Sequence, residues 1–192
     1  MITTERLILR HFEPTATDYQ ALYDMMADAT VNRFLPWWPW TDLQQAQSYY
    51  QDELQPTYAS AHGQFWAVCL KTDNRPIGYV DVSADASYDF GYGLAQAYWN
   101  QGLITEASQA ALTWLQQHDY PYVTATHDVN NGASGQVMRK LGMHYQYSYR
   151  EQWQPKDKLV TFRLYQLDLD GQVRPRYAKY WERYADHFVE EI

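Results

Sequence analysis

The stretch YWNQGLITEA, from Tyr98 to Ala107, decides the fold of this chain. It places a polar turn, NQG, between two aromatic residues and the start of a well-patterned helix. The helix after Gly102 repeats its apolar residues at a period of 3.6, which predicts one buried face. That face consists of Ile104, Ala107, Ala111, Trp114, Leu115 and His118. A glycine here either ends a loop or lets the first helical amides approach an anion closely.

Composition limits the class of protein. The 192 residues suffice for one domain with a sizeable core, and 46% hydrophobic with 17% aromatic residues argue against disorder. A formal charge of −8 argues against a nucleic-acid binder and suits an amine or another cationic partner. Cys69, the only cysteine, lies in the apolar run FWAVCL and is expected to pack in the core; no spacing of cysteines or histidines indicates a metal site. The opening MITTERLILR is too polar for a signal peptide, so we expect a cytoplasmic protein.

Periodicity predicts alternating strands and helices on both sides of this stretch. RLILRHF predicts a strand, Thr17-Asp18 a helix start, and Thr41 with Gln44 a capping box at a second helix. QFWAVCLKT and IGYVDVS predict a hairpin, and DFGYGLA a third strand. YVTATH, a short helix closed by Gly142, HYQYSYREQW and KLVTFRLYQLDL follow. The order predicts an α/β (α+β) fold, a mixed sheet with helices on both faces, in which DFGYGLA and YVTATH run parallel.

The last residues form a separate segment in this interpretation. We expect one domain over residues 1–170 and a helical extension over residues 171–192, because GQVRP begins with turn residues. Five aromatic residues recur at helical spacing in the extension: Tyr177, Tyr180, Trp181, Tyr184 and Phe188. The stripe packs on its own domain in the simpler interpretation, and it forms a dimer contact in the other. The protein is accordingly expected to be a monomer or a homodimer.

Two runs carry a resemblance to a known family. GYGLAQAYWNQGLITEA, followed by NNGASGQVMRKLGM, resembles the GNAT superfamily of acyl-CoA N-acyltransferases. The branch that it is most similar to contains the ribosomal-protein N-terminal acetyltransferases, and TERLILRHF, IGYVDV and FRLYQL fit the same branch. The resemblance covers roughly residues 2–168 and implies the GNAT fold, a mostly antiparallel sheet with a central, splayed pair of parallel strands. It also implies acetyl-CoA as cosubstrate, no metal, and an amine as acceptor.

The resemblance implies where acetyl-CoA binds. The family pattern Q/R-x-x-G-x-G/A matches Trp99 to Ile104: Gly102 is in place, and Ile104 departs from the second small residue. The amides of this turn would hold the pyrophosphate, since helix N-termini carry unpaired N–H groups and partial positive charge. The residues expected to bind the cosubstrate are Leu94, Trp99, Asn100, Gln101, Gly102, Leu103, Ile104, Thr105, Asn131 and Ser134. Among them, Asn131 matches the pantetheine contact, and the N–H near Leu94 would stabilise the oxyanion.

Catalytic roles also follow from the resemblance. Ser134 matches the position that protonates the departing thiolate in this branch, and Met138 stands where many relatives carry a catalytic tyrosine. The resemblance offers two carboxylates for the role of base. Asp89 roughly matches the acidic position that serves as base in other branches, and it is favoured slightly. Glu151 lies on the strand where the N-terminal acetyltransferases carry a glutamate, offset from that position by about two residues. His127 and Asp128 form a further pair that could relay a proton.

The acceptor is left open. The resemblance implies that Trp37, Trp38 and Trp40 wall the acceptor site, although the loop FLPWWPW could equally be tucked into the core. We expect an N-acetyltransferase that acts on a protein N-terminus or a small-molecule amine. The alternatives are acetylation of an antibiotic or toxin amine, and an acyl-CoA-binding module without catalysis.

Overall fold

The computed structural model describes residues 1–60 and 63–192. Its first sheet is antiparallel throughout, with its five strands in sequence order. The strands are β1 (Ile2–Thr3), β2 (Leu7–Arg10), β3 (Gln64–Leu70), β4 (Pro76–Val82) and β5 (Phe90–Leu94). Nearly continuous apolar runs form β3 and β4, which are buried on both faces, and Cys69 of β3 is fully buried, as predicted.

The second sheet is also antiparallel and has the order β6-β8-β7-β9. Its strands are β6 (Tyr122–Asp128), β7 (His144–Trp153), β8 (Lys158–Asp168) and β9 (His187–Phe188). One parallel bridge, between Asp89 and Thr124, joins β5 to β6, and the N–H of Thr124 donates to the carbonyl of Tyr88 at 3.2 Å. Beyond this bridge the described residues of the two strands form no further ladder, so the predicted parallel pair splays apart.

Helices cover both faces of the first sheet. On one face lie α1 (Ala16–Ala27), α2 (Gln44–Tyr49) and α3 (Gln55–Ala59), with a π-helical turn over Tyr50–Leu54 between the last two. On the other lies α4 (Leu103–Gln117), and α5 (Gly132–Lys140) packs against α4 and β6; the apolar residues of both helices help to build the larger core. Short 3₁₀ helices span Val31–Phe34 and Gln96–Tyr98. No helix within residues 1–60 and 63–192 is both long and apolar enough to cross a membrane.

The predicted capping box at α2 is wrong. Thr41 caps nothing with its side chain; the carboxylate of Asp42 accepts from the N–H of Gln44 at 2.8 Å, and Gln45 Oε1 accepts from the N–H of Thr41 at 2.8 Å. The first helix also begins slightly earlier than predicted, at Ala16, where the Thr15 hydroxyl accepts from the N–H of Asp18. Both differences arise because short polar side chains near a helix start compete for the same free amides.

The helix predicted through the C-terminal segment is much shorter than expected. Only α6 (Lys179–Arg183) is helical, and the segment then turns into β9, which pairs with β7. The aromatic stripe packs on its own chain, against Tyr147 and Tyr149 of β7, as the simpler interpretation predicted. Strand pairing and ring packing here outweigh the helical spacing of the sequence. The domain division at residue 170 stays a prediction.

Candidate active site

The start of α4 has the geometry that the opening stretch predicted. Gly102 is the N-cap residue and adopts the left-handed conformation, with φ 74°. Its carbonyl accepts from the N–H of Glu106 at 3.0 Å, so the amides of the first helical turn have no partner within the helix. A Cβ added at Gly102 would meet only Arg6 Nη2, at 3.6 Å. Ile104, the departure from the family pattern, packs against the larger core and so turns away from this opening.

Arg6 lies beside this helix start, and the sequence pattern did not single it out. Its Nη1 donates to the carbonyl of Gln101 at 3.0 Å, and its Nε pairs with the Glu106 carboxylate at 2.6 Å. The ion pair holds the guanidinium at the first turn of α4. Only the register of β2 against the rest of the first sheet, which periodicity does not give, brings Arg6 there.

The edge of β5 that faces β6 is open. The N–H of Ala95 donates to Ile77 of β4 at 2.8 Å, and partners in an antiparallel ladder alternate, so the N–H groups of Tyr92 and Leu94 point away from β4. The carbonyl of Leu94 points the same way and accepts from the indole of Trp99 at 2.7 Å. The N–H of Leu94 therefore faces the gap between the splayed strands.

Ser134 lies at the start of α5, across this gap from β5. Its Oγ is 3.1 Å from the hydroxyl of Tyr92, which donates to the Ser134 carbonyl at 2.8 Å. Burial raises the pKa of Tyr92, so the phenol is a neutral donor at ordinary pH. Asn131 caps α5 by accepting from the N–H of Ser134 at 3.3 Å. Tyr92 is thus a second hydroxyl at the predicted acid position, and the sequence pattern missed it.

Two carboxylates lie side by side where the strands meet. Asp89 is half-buried, and its Oδ1 is shielded from solvent without a hydrogen-bond partner in the described chain. Burial, with a smaller effect of Asp85, raises the pKa of Asp89 to about 6. Asp81, which the sequence did not indicate, extends across Gly91 of β5; burial and the charge of Asp89 raise the pKa of Asp81 to about 8. At neutral pH Asp89 is therefore mainly ionised and Asp81 mainly protonated.

Glu151 lies on the same face as these carboxylates. Thr124 is paired with Asp89, and alternate residues of β6, β8 and β7 continue that face to Tyr149 and Glu151. We call it the carboxylate face, defined by Asp81, Asp89 and Glu151. The carboxylate of Glu151 approaches the hydroxyl of Tyr184, whose pKa burial and this contact raise to about 12.

The three tryptophans of FLPWWPW do not form one surface. Trp40 is half-buried against Tyr49, with ring centroids 5.5 Å apart, and lines a cavity of about 460 Å³. Trp37 donates to Asn32 Oδ1 at 3.0 Å, and Trp38 is 62% exposed. The start of the loop is held by Lys156, in the turn between β7 and β8, which donates to the carbonyls of residues 32 and 35 at 2.8 Å each.

The proposed relay between His127 and Asp128 is not formed. His127 Nδ1 bonds to the backbone carbonyl of Asp128 at 2.8 Å, whereas the Asp128 carboxylate binds Asn130 and Lys158. His127 Nε2 is buried against α5, where a Cβ on Gly135 would come within 2.7 Å of it. Burial lowers the pKa of this histidine, which suits a neutral packing residue.

Comparisons with known proteins agree with this architecture. The acetyltransferase (GNAT) domain family matches residues 6–144. The uncharacterized N-acetyltransferase YnaD of Bacillus subtilis is 27% identical over 146 residues, which are 74% of this chain and 81% of YnaD.

Two solved structures share the fold. A GNAT acetyltransferase from Bacillus anthracis superposes with a TM-score of 0.75 at 21% identity, over 88% of this chain and 98% of its own. RimL, a ribosomal L7/L12 alpha-N-protein acetyltransferase in complex with coenzyme A, superposes with a TM-score of 0.76 at 16% identity, over 88% and 97%. The family match spans most of the chain, and the splayed strands and the glycine-led helix lie within it. The chain therefore belongs to the GNAT family of acetyl-CoA-dependent N-acetyltransferases.

Proposed function

We propose that this chain transfers the acetyl group of acetyl-CoA to a primary amine, either a protein N-terminus or a small-molecule amine, by direct attack without a covalent intermediate. The single bridge between Asp89 and Thr124 is the observation that carries the proposal, because it leaves the edge of β5 free beside the start of α4. An extended pantetheine arm can pair with such an edge as an added strand would.

The residues of this chain suit acetyl-CoA at both ends of that gap. The amides of residues 100–105 surround a left-handed glycine and would bind the pyrophosphate, with Arg6 as an adjacent cation. Asn131 uses its Oδ1 as a helix cap, which leaves its amide group to donate to the pantetheine arm. The N–H of Leu94 would donate to the thioester carbonyl oxygen as negative charge develops on it.

Asp89 is our candidate for the base. A base must be ionised before it can accept a proton, and a pKa of about 6 keeps Asp89 ionised at neutral pH while making it a stronger base than an exposed aspartate. Asp89 is only partly buried, and its Oδ1 has no hydrogen-bond partner in the described chain, so the carboxylate has no bond to lose when it accepts a proton. Glu151 is the second candidate, since it lies on the same face.

Ser134 is our candidate for the acid that protonates the departing thiolate. The Tyr92 hydroxyl bonds to the serine carbonyl and lies 3.1 Å from its Oγ, so it fixes the serine and can resupply its proton. Because the CoA thiolate is only a weak base, its thiol having a pKa of about 8.5 like that of cysteine, the acid contributes modestly. Tyr92→Phe tests this assignment: we expect a smaller loss of kcat than Ser134→Ala causes, and a larger loss would make Tyr92 the acid.

The proposal is tested by release of thiol from acetyl-CoA in the presence of peptides with N-terminal Ser or Ala, polyamines and aminoglycosides. RimL supports including the peptides, because it is named for ribosomal L7/L12. Thermal unfolding with CoA provides an independent measure of binding: at ~100 times its dissociation constant, CoA should stabilise the fold by about 2.7 kcal/mol. Binding without turnover of any acceptor would favour the acyl-CoA-binding module instead.

The setting of the reaction belongs to the same proposal. We propose a cytoplasmic location, since the reaction consumes acetyl-CoA, a metabolite made inside cells. We further propose that Trp37, Trp38 and Trp40 lie around the entrance for the acceptor, where the exposed rings of Trp37 and Trp38 can attract amine cations. The protein is proposed to act as a monomer or a homodimer.

A further inference from the structure

The C-terminal segment, residues 171–192, packs on the carboxylate face of the second sheet. The N–H of Tyr177 donates to Gln166 Oε1 at 2.8 Å, and Tyr147 donates through its hydroxyl to the carbonyl of Tyr177 at 2.7 Å. Gln166 is the β8 partner of Thr124, which in turn pairs with Asp89. The segment therefore crosses the same face two strands from the carboxylate that the proposed reaction uses as base.

Tyr180 lies on this face, and its hydroxyl approaches Ser87, two residues before Asp89. Its ring stacks on Tyr149 with centroids 5.2 Å apart, and Tyr184 stacks on another part of the same ring at 4.8 Å. The charge of Asp89 is the largest charge effect on Tyr180. The charge of Asp89 is a minor effect on Tyr177.

The surroundings of Asp89 fit a bound cation. Its Oδ1 is buried without a hydrogen bond, although buried carboxylate oxygens are nearly always satisfied. The phenol oxygen of Tyr180, which approaches Ser87 close by, is a neutral group that can accept a hydrogen bond from an ammonium group. Tyr180 itself is only half-buried, so an amine can reach it.

We infer that the C-terminal segment forms one wall of the acceptor site, and that Tyr180 is a specificity-determining residue that holds the acceptor amine beside Asp89. The inference rests on the proposed function and deepens it, because it assigns acceptor selectivity to a segment outside the matched family domain, which ends at residue 144. In this arrangement the Asp89 carboxylate pairs with the ammonium group, and the Tyr180 hydroxyl contacts the same group from the C-terminal segment.

Steady-state kinetics of Tyr180→Phe and Tyr180→Ala test this inference, with Tyr177→Phe as the matched control in the same segment. The acceptor probes are phenethylamine, spermidine and a Ser-Ala-Ala peptide. Loss of the phenol hydroxyl should raise the KM of the preferred probe about fivefold, the effect of one hydrogen bond, while the KM for acetyl-CoA stays constant. Tyr180→Ala should in addition change the order of preference among the three probes, and Tyr177→Phe should change neither quantity.

Thermal unfolding of the same variants distinguishes a residue that contacts the acceptor from one that only stabilises the packing of the segment. If the Tyr180 variants lower only the melting temperature, and leave acceptor KM and preference as in the wild type, the inference is overturned while the proposed function stands. If the wild type acetylates none of the three probes or the wider amine panel, the proposed function fails and this inference fails with it.

Discussion

Replacing Asp81 by asparagine should change how the stability of the protein depends on pH. Burial and the charge of Asp89 raise the pKa of Asp81 to about 8 in the folded chain, whereas an unfolded aspartate titrates at about 3.9. Between these values the folded state keeps a proton that the unfolded state has lost. The free energy of unfolding therefore falls as the pH rises, by about 1.36 kcal/mol per pH unit for this one group.

The asparagine variant has no such proton to lose. We expect the variant to gain about 2 to 3 kcal/mol in unfolding free energy relative to the wild type between about pH 5 and about pH 7. Asp81 keeps some contact with solvent, which lowers its folded pKa and shortens the window only from its upper end. Effects of the amide on packing are the same at both pH values and cancel from the comparison.

Urea unfolding of both proteins at several pH values in this range is the assay. Asp85→Asn is the matched control. Burial favours a higher pKa for Asp85, but hydrogen bonds from Ser87 and Ser83 outweigh it and lower that pKa, so the carboxylate is ionised throughout the range. The difference of this variant from the wild type should change much less with pH, through the small effect that the charge of Asp85 has on Asp89 alone. A difference for Asp81→Asn that changes with pH no more than that of the control would show that Asp81 is ionised in the folded protein, and would refute the reasoning.

Three further predictions concern the candidate site. Gly102→Val should raise the KM for acetyl-CoA more than it lowers kcat, because a side chain at φ 74° displaces the first-turn amides. Gly171→Val, at φ 76° in open space, controls for backbone strain. An equal rise of KM in that control would contradict the assignment. Ser134→Ala should lower kcat by roughly 10²-fold in single-turnover assays with CoA affinity near wild type, and unchanged turnover would exclude the serine. Asp89 can act as a base only above about pH 6, so kcat/KM of the wild type should rise near that pH. Asp89→Asn should abolish this rise, and Glu151→Gln should keep it. The opposite pattern would make Glu151 the base.

The strands and long helices were predictable because their side chains repeat with a clear period. Continuous apolar runs bounded by turn residues mark β3 and β4, and the apolar face of α4 follows from a spacing of 3.6 residues. Gly102 was predictable too, because its conformation is a local property of the turn. The capping box failed because Asp42 satisfies the free amides that Thr41 was expected to satisfy, and spacing alone does not rank such competitors.

The contacts that complete the candidate site were not predictable in this way. Tyr92 and Ser134 are 42 residues apart, and Asp81 meets Asp89 only through the register of β4 against β5. Periodicity identifies strands but does not fix their register. The prediction of a long C-terminal helix failed for a related reason. The aromatic spacing fits both a helix and an irregular segment that packs on a sheet. Only the rings of Tyr149 and its neighbours on the second sheet favour the packed segment.

The open edge of β5 has a consequence for amide hydrogen exchange. The N–H of Ala95 is locked to β4, whereas the N–H of its neighbour Leu94 faces the gap between the sheets. Adjacent amides of one rigid strand should therefore differ widely in protection, with the slow ones limited by opening of the whole first sheet. Addition of CoA should slow the exchange of Leu94 and of the amide of Tyr92 and leave that of Ala95 unchanged, so isotope labelling would trace the path of the bound chain along the strand residue by residue.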